Sequence, residues 1–275
     1  MKNNKYKILV LSDLKDSTQN TLKSAVSLTK MLKADLEFFH VKKPTDIVEQ
    51  DNQLSAMRTI GKEHITTEKR IKKLINSVTK DCDIKINSSF TFGNVKREIE
   101  NYIDLIQPDI IVLGKKKSKA IKLKSDNVTD FVLKKFSGAI LIASEQNSLE
   151  PNKELSLGFL NGIEESFELD FAEDLMKHTS KPLKSFKIVK RPFDSNKTKT
   201  HTDIKTVDYV FEQNDNSINK LSNYLVKNDI NLFCLNRGNQ KTKSKSNIVT
   251  SEVNDMMNKL NVSLLFSNSQ PLIIN

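Results

Sequence analysis

Few residues of this 275-residue chain are placed to do chemistry, and the most suggestive group begins at a glycine. Gly114 ends the apolar run Asp109-Ile110-Ile111-Val112-Leu113, and Lys115, Lys116, Lys117, Lys119, Lys122 and Lys124 follow it closely. A glycine at a strand end lets a ligand approach the backbone, and clustered ammonium groups suit an anion such as a phosphate. The other reading is a solvated loop, because lysine is a flexible, strongly hydrated point charge. Asp13 closes the first apolar run, where its carboxylate either meets a ligand or caps the following helix.

Other chemistry finds little footing. The chain has no P-loop Gly-Lys-(Ser/Thr) sequence and no Gly-x-Ser-x-Gly nucleophile elbow. A phospho-receiver would want an acidic pair near the first strand and an aspartate after the third, and Asp13 stands without that set. The histidines, His40, His64, His178 and His201, and the cysteines, Cys82 and Cys234, lack metal-ligand spacing or a disulfide framework. Cys234, inside Leu232-Phe233-Cys234-Leu235, reads as a small core residue of a strand. The expectation is a protein that binds rather than catalyses, with no metal.

Composition narrows the class further. Apolar residues make up 37% and charged residues 28% of the chain, as in a folded soluble protein. No apolar run has the roughly 18–20 residues of a membrane span, and the N-terminus lacks the apolar stretch of a signal peptide. A cytoplasmic protein without membrane association is expected. The net charge of +10 raises the question of nucleic acid, but the basic residues are 39 Lys and only five Arg. Base reading and stacking favour Arg and aromatics. Lysines spread along the chain describe a solvated basic surface, and a nucleic-acid partner is not expected.

Short apolar runs alternate with amphipathic stretches, which predicts an α/β fold with parallel strands. In the first part, strands are expected over Tyr6–Ser12, Asp35–Val41, Ile84–Phe92, Asp109–Gly114 and Ala139–Ala143. Between them lie a helix after Ser17 or Asp16 as N-cap, a long helix through Ile71 and Val78, one capped by Asn94, and one over Val128–Phe136. The order then recurs. Strands are expected at Leu155–Leu160, Leu183–Val189, Val207–Phe211, Ile230–Leu235 and Val262–Phe266, with helices at Glu164–His178, Ser217–Val226 and Glu252–Leu260. Asn101-Tyr102 returns as Asn223-Tyr224, and Asp109–Leu113 as Asn231–Leu235, followed by Gly238 where the first copy has Gly114. Such duplication predicts two tandem domains, 1–146 and 154–275, joined by a polar linker at 147–153. Lys190 to Thr206 is too short for a crossover helix like that of the first copy, so the second crossover is expected to be shortened or lost.

The stretches Ile8-Leu9-Val10-Leu11-Ser12-Asp13, Ala34–Val41, Gln107–Gly114 and Ala139–Ile142 resemble the universal stress protein family. The resemblance runs through the first domain and more faintly through the second. It implies two doubly wound domains of flavodoxin-like or Rossmann-like type, each with a mainly parallel five-stranded sheet, paired as an internal pseudo-dimer. Nucleotide-binding members carry Gly-x2-Gly-x9-Gly-(Ser/Thr) after the fourth strand. Gly114 fits its first position, Lys117 replaces its second glycine, and Asp126-Asn127 stand where Gly-Ser belongs, ahead of Val128. Asp13 and Val41 match residues that line the nucleotide pocket. A carboxylate beside phosphates repels them, and a Cβ at a glycine position blocks backbone approach.

The resemblance therefore implies a stress-response protein that acts through a protein or ligand partner and holds ATP weakly or not at all. No cofactor is expected. The alternative is a nucleotide- or anion-binding regulator using the first-domain lysine loop. The last strands, Ala139–Ala143 and Val262–Phe266, are apolar edges expected to join the domains, and a homodimer is a further assembly open to the chain.

Overall fold

Runs of four to six apolar residues become strands here because helices cover both faces of the sheet. The structure, a computed structural model, describes residues 4–44, 53–80, 82–115, 128–161, 171–180, 182–189, 206–214, 216–236 and 251–266. Strand β1 (Lys7–Ser12) is buried from Ile8 to Leu11. Its side chains alternate, so Ile8 and Val10 enter one core layer, Leu9 and Leu11 the other. Helix α1 (Thr18–Leu32) buries Leu22, Ala25, Val26 and Leu28 and stops at Lys33, whose backbone is left-handed at φ 52°. Then come β2 (Asp35–Lys42), α2 (Gln53–Thr79), β3 (Ile86–Phe92), α3 (Val95–Ile106), β4 (Ile110–Gly114), α4 (Val128–Lys135) and β5 (Ala139–Ala143). The second half supplies β6 (Leu157–Leu160), α5 (Ala172–Met176), β7 (Leu183–Val189), β8 (Thr206–Glu212), α6 (Ser217–Lys227), β9 (Leu232–Leu235), α7 (Ser251–Lys259) and β10 (Ser263–Phe266).

The ten strands among the described residues form one sheet in the order β3-β2-β1-β4-β5-β10-β9-β6-β7-β8. Each half reads third, second, first, fourth, fifth, the Rossmann order without its sixth strand rather than the flavodoxin order. These are two tandem doubly wound α/β domains, parallel throughout except where β5 meets β10.

The repeat extends to single hydrogen bonds. Asp109 Oδ2 accepts from the Lys7 backbone N–H at 2.7 Å, and its counterpart Asn231 Oδ1 accepts from the Ser156 N–H at 3.0 Å. Two residues earlier, Gln107 and Asp229 both turn left-handed, at φ 49° and 54°. The expected Asn94 cap is present, its side chain accepting from the Arg97 N–H at 3.3 Å. The expected side-chain cap at Ser17 is not. Ser17 has helical backbone angles, and what it offers is its carbonyl, which accepts from the N–H and the hydroxyl of Thr21, both at 3.0 Å.

The halves meet edge to edge. Ile140, Leu141 and Ile142 pair with Phe266, Leu265 and Leu264. In register, Leu141 corresponds to Leu265 and faces it, so a pseudo-two-fold axis passes between them and the contact is isologous. Both strands are fully buried. The edge that would otherwise expose unpaired backbone groups is consumed within the chain.

Residues 147–153 lie along α1. Leu149 is buried and its N–H donates to Ser24 Oγ at 3.0 Å, while Lys30 Nζ donates to Asn152 Oδ1 at 2.7 Å. The strand expected from Ile84 begins at Ile86, after a turn in which the Ile84 N–H donates to the Cys82 carbonyl. Of the helix expected over Glu164–His178, the described part is Ala172–Met176. The shortened crossover and Gly238 lie outside the described residues.

Candidate functional site

Strand order reverses between β1 and β4, and in doubly wound sheets ligands bind beyond the C-terminal strand ends at such a point. Of the residues singled out in sequence, Asp13 directly follows β1, while Val41, Gly114 and Val128 come from β2, β4 and the start of α4 around this end of the sheet. Lys117, Asp126 and Asn127 lie outside the described residues.

Asp13 is exposed, and its Oδ1 accepts from the Lys15 N–H at 3.2 Å. It closes a local turn two residues long instead of capping α1. Val41 and Val128 are half-buried and pack against the core layer containing Leu9 and Ile111. Gly114 has a packing reason of its own. A Cβ there would sit 2.5 Å from Thr21 Oγ1 and 3.4 Å from Ser17 Oγ, so the first turn of α1 occupies the space a side chain would need.

Three residues that sequence reasoning passed over hold the loop after β1. Leu14 is buried in a left-handed conformation, φ 55°, unfavourable for a branched side chain. Two side chains from neighbouring elements grip this loop by its carbonyls: His40 Nδ1 lies 2.8 Å from the Ser12 oxygen, and an Arg70 amino group of α2 donates to the Leu14 oxygen. Ser12 Oγ also accepts from the Leu14 N–H and donates to Thr18 Oγ1, each at 3.0 Å. A carbonyl only accepts, so Nδ1 carries the proton in the His40 bond. Burial pushes the imidazole below its ordinary range, opposed by the Ser12 bond and assisted by the charges of Lys42 and Arg70. One signal was available in sequence: Arg70 is one of only five arginines.

Lys115 follows Gly114 but turns away from any ligand there. Its Nζ donates to the Leu260 carbonyl at the C-terminal end of α7, in the second half. Burial lowers its pKa. The next carbonyl, of Asn261, accepts from Asn147 Nδ2 at 2.6 Å and Ser144 Oγ at 3.3 Å. Donors from the first half and from the linker thus cap a helix end whose carbonyls carry partial negative charge.

In the second half, register places Asn161 opposite Ser12 in the repeat, at φ 63°, with its N–H on the Phe186 carbonyl at 2.8 Å. Cys234 is fully buried, which pushes its thiol up and leaves it a core residue as expected. Among the described residues no cluster of three His, Cys, Asp or Glu could hold a metal, and no helix is long and apolar enough to cross a membrane.

A doubled Rossmann-like sheet, joined at its fifth strands and carrying a glycine at the end of the fourth strand of its first half, defines a tandem doubly wound α/β protein. Residues 6–144, just over half of the chain, match the model of the universal stress protein family, and the chain belongs to that family. Among solved structures, it is similar to a universal stress protein from Archaeoglobus fulgidus DSM 4304, at 11% identity with a TM-score of 0.66, covering 98% of this chain and 100% of that one. A functionally unknown protein from Pseudomonas aeruginosa PAO1 is similar at 10% identity and a TM-score of 0.52, covering 95% and 92% of the two chains. Both likenesses are of fold. No curated protein matches the chain in sequence.

Proposed function

We propose that this chain is a non-enzymatic, cytoplasmic stress-response protein that acts by binding a protein or ligand partner, with a degenerate nucleotide site that holds ATP weakly or not at all. Its working units are 1–146 and 154–275. The observation that carries the reading is Lys115: the first cation after Gly114 is spent on the Leu260 carbonyl instead of being offered to a phosphate. The loop after β1 supports it, since the Ser12 and Leu14 carbonyls are taken by His40 and Arg70. In sequence, Lys117 and Asp126-Asn127 stand where the family's nucleotide binders have glycines and a hydroxyl.

Calorimetric titration with Mg-ATP tests this. The expected affinity is no tighter than about 1 mM, on the order of −4 kcal/mol. Micromolar binding at near-physiological salt overturns it and favours a nucleotide- or anion-binding regulator using the first-domain lysine loop.

A further inference from the structure

The N-terminal half of α2 carries apolar side chains that the protein leaves uncovered. Met57 is 70% exposed, Ile60 40% and Ile65 54%. Further along the same helix Ile71 is buried, and Leu74, Ile75 and Val78 pack on the core. Single exposed apolar residues are ordinary on a protein surface. These share a pattern.

Met57, Gly61 and Ile65 recur every four residues and form one ridge of the helix. A Cβ on Gly61 would meet nothing within 4 Å, so the helix backbone is open to close approach there. On the side toward the sheet edge the ridge is bounded by His64, whose ring stands 4.6 Å from Phe90 of β3. On the other side run Arg58, Lys62 and Lys69, all exposed. The nearby acids are turned to lysines, Glu63 to Lys42 at 2.5 Å and Glu68 to Lys72 at 2.6 Å.

We infer that this ridge docks an acidic amphipathic helix of a partner protein, an assignment that rests on the reading of the chain as a partner-binding protein. A ridge of residues four apart packs into the matching groove of another helix at a crossing near −50°. Gly61 lets the axes approach, and apolar residues of the partner at i, i+3 or i+4, and i+7 reach Met57, Ile60 and Ile65. Carboxylates along the partner's flank meet Arg58, Lys62 and Lys69. A second copy of this chain fits less well, because an antiparallel two-fold pairing of α2 sets the basic row against itself. A membrane surface fits less well too. The apolar residues of the C-terminal half of α2 face the core, which leaves only about two turns to insert.

The test uses the full chain and a fluorescent helical peptide of about five turns with leucines at that spacing and glutamates on the flanks. A second peptide carries lysines in place of the glutamates, and phosphatidylserine vesicles form a third arm. The glutamate peptide is expected to bind at about micromolar strength and the lysine peptide at least about tenfold more weakly. Met57→Glu with Ile65→Glu should weaken the glutamate peptide by at least about tenfold while circular dichroism and thermal unfolding stay unchanged. Arg58→Glu, Lys62→Glu and Lys69→Glu together should transfer preference to the lysine peptide. The inference is overturned if the glutamate peptide does not bind, if both peptides bind equally, if the Met57/Ile65 variant binds as the parent does, or if the vesicles capture the chain while the peptide does not. Mg-ATP titration of the same variants stays as in the parent, so failure here leaves the reading of the nucleotide site standing.

Discussion

Strands β2 and β7 hold the same place in their halves, beside the first strand of each, yet they carry different residues on the face that α2 covers in the first half. There Phe38 and His40 of β2 stand with Phe90 of β3, under α2 and its His64. Register puts Ser185, Lys187 and Val210 in those places, and Lys187 is paired with Asp208 at 3.0 Å. The opposite face is preserved. Phe39 stacks on Tyr102 of α3 with ring centroids 3.8 Å apart, and their counterparts Phe186 and Tyr224 of α6 meet edge-on at 6.1 Å. The chain between the second and third strands runs over 43–85 in the first half and over 190–205 in the second. A sheet face is written for its cover, and here the residues of one face changed while the other face kept its aromatic contact with a helix.

The largest expected effects lie where the halves join. Replacing Leu141 or Leu265 with Lys buries an unpaired charge on the pseudo-axis and should cost about 4 kcal/mol or more. Small-angle scattering should show the halves loosened, with circular dichroism checking that each stays folded. The two variants should match. A clear inequality between them would break the equivalence of the halves at its centre.

The recoded face gives the next contrast. Phe38→Ser imports the second half's residue under α2 and should cost about 3–5 kcal/mol in denaturant unfolding. Ser185→Ala should be close to neutral or stabilising, because Ser185 Oγ is buried without a hydrogen-bond partner among the described residues. A costly Ser185→Ala would show that the second face relies on its polar groups.

On the preserved face the effects are smaller. The Tyr102 hydroxyl donates to Glu37 Oε1 at 2.7 Å and also touches Ser89 Oγ, and burial pushes its pKa to about 12. Tyr102→Phe should cost about 1–3 kcal/mol by leaving that carboxylate short of a donor. Lys184 stands at the Glu37 place in the second half, and Tyr224→Phe should cost about 1 kcal/mol. The same unfolding measurement ranks the pair.

The smallest contrast concerns pH. Burial holds the folded pKa of His40 below its unfolded value, so the unfolded chain takes up the proton first. That contribution is complete above about pH 6.5 and is lost as pH falls from there through the folded pKa. Thermal midpoints across this window should fall in the parent and flatten in His40→Gln. The second half has Lys187 in that place, so a fall surviving in His40→Gln would place the sensitivity elsewhere.

What could be read from sequence was decided by local burial and repetition. Ile110–Leu113 and Leu232–Leu235 read as strands because their length and unbroken apolar character suit burial on both faces. Tyr102 and Tyr224 marked equivalent helices because the same packing position recurs. The site was less legible. Gly114 was read for its approach to a ligand, but its missing Cβ fits against Thr21, a contact made only when β4 and α1 come together. His40 and Arg70 act on backbone carbonyls, and nothing in residue type says where the oxygens of Ser12 and Leu14 will point. Ser17 had the right type for a cap, yet the loop before it delivers the residue already in helical conformation.

Ser263 begins β10 at the position that Ala139 holds at the start of β5. Its hydroxyl accepts from the Ser144 N–H at 3.1 Å and donates to the Asn147 carbonyl at 3.4 Å. Two identical chains meeting across such an axis would have to carry that hydroxyl on both sides or on neither. A fused chain is released from that obligation, because each side of the seam is inherited and altered separately. One half can take on the fastening of the joint while its twin keeps a bare methyl group. Specialisation then proceeds without ever passing through a subunit that fails to recognise its own copy.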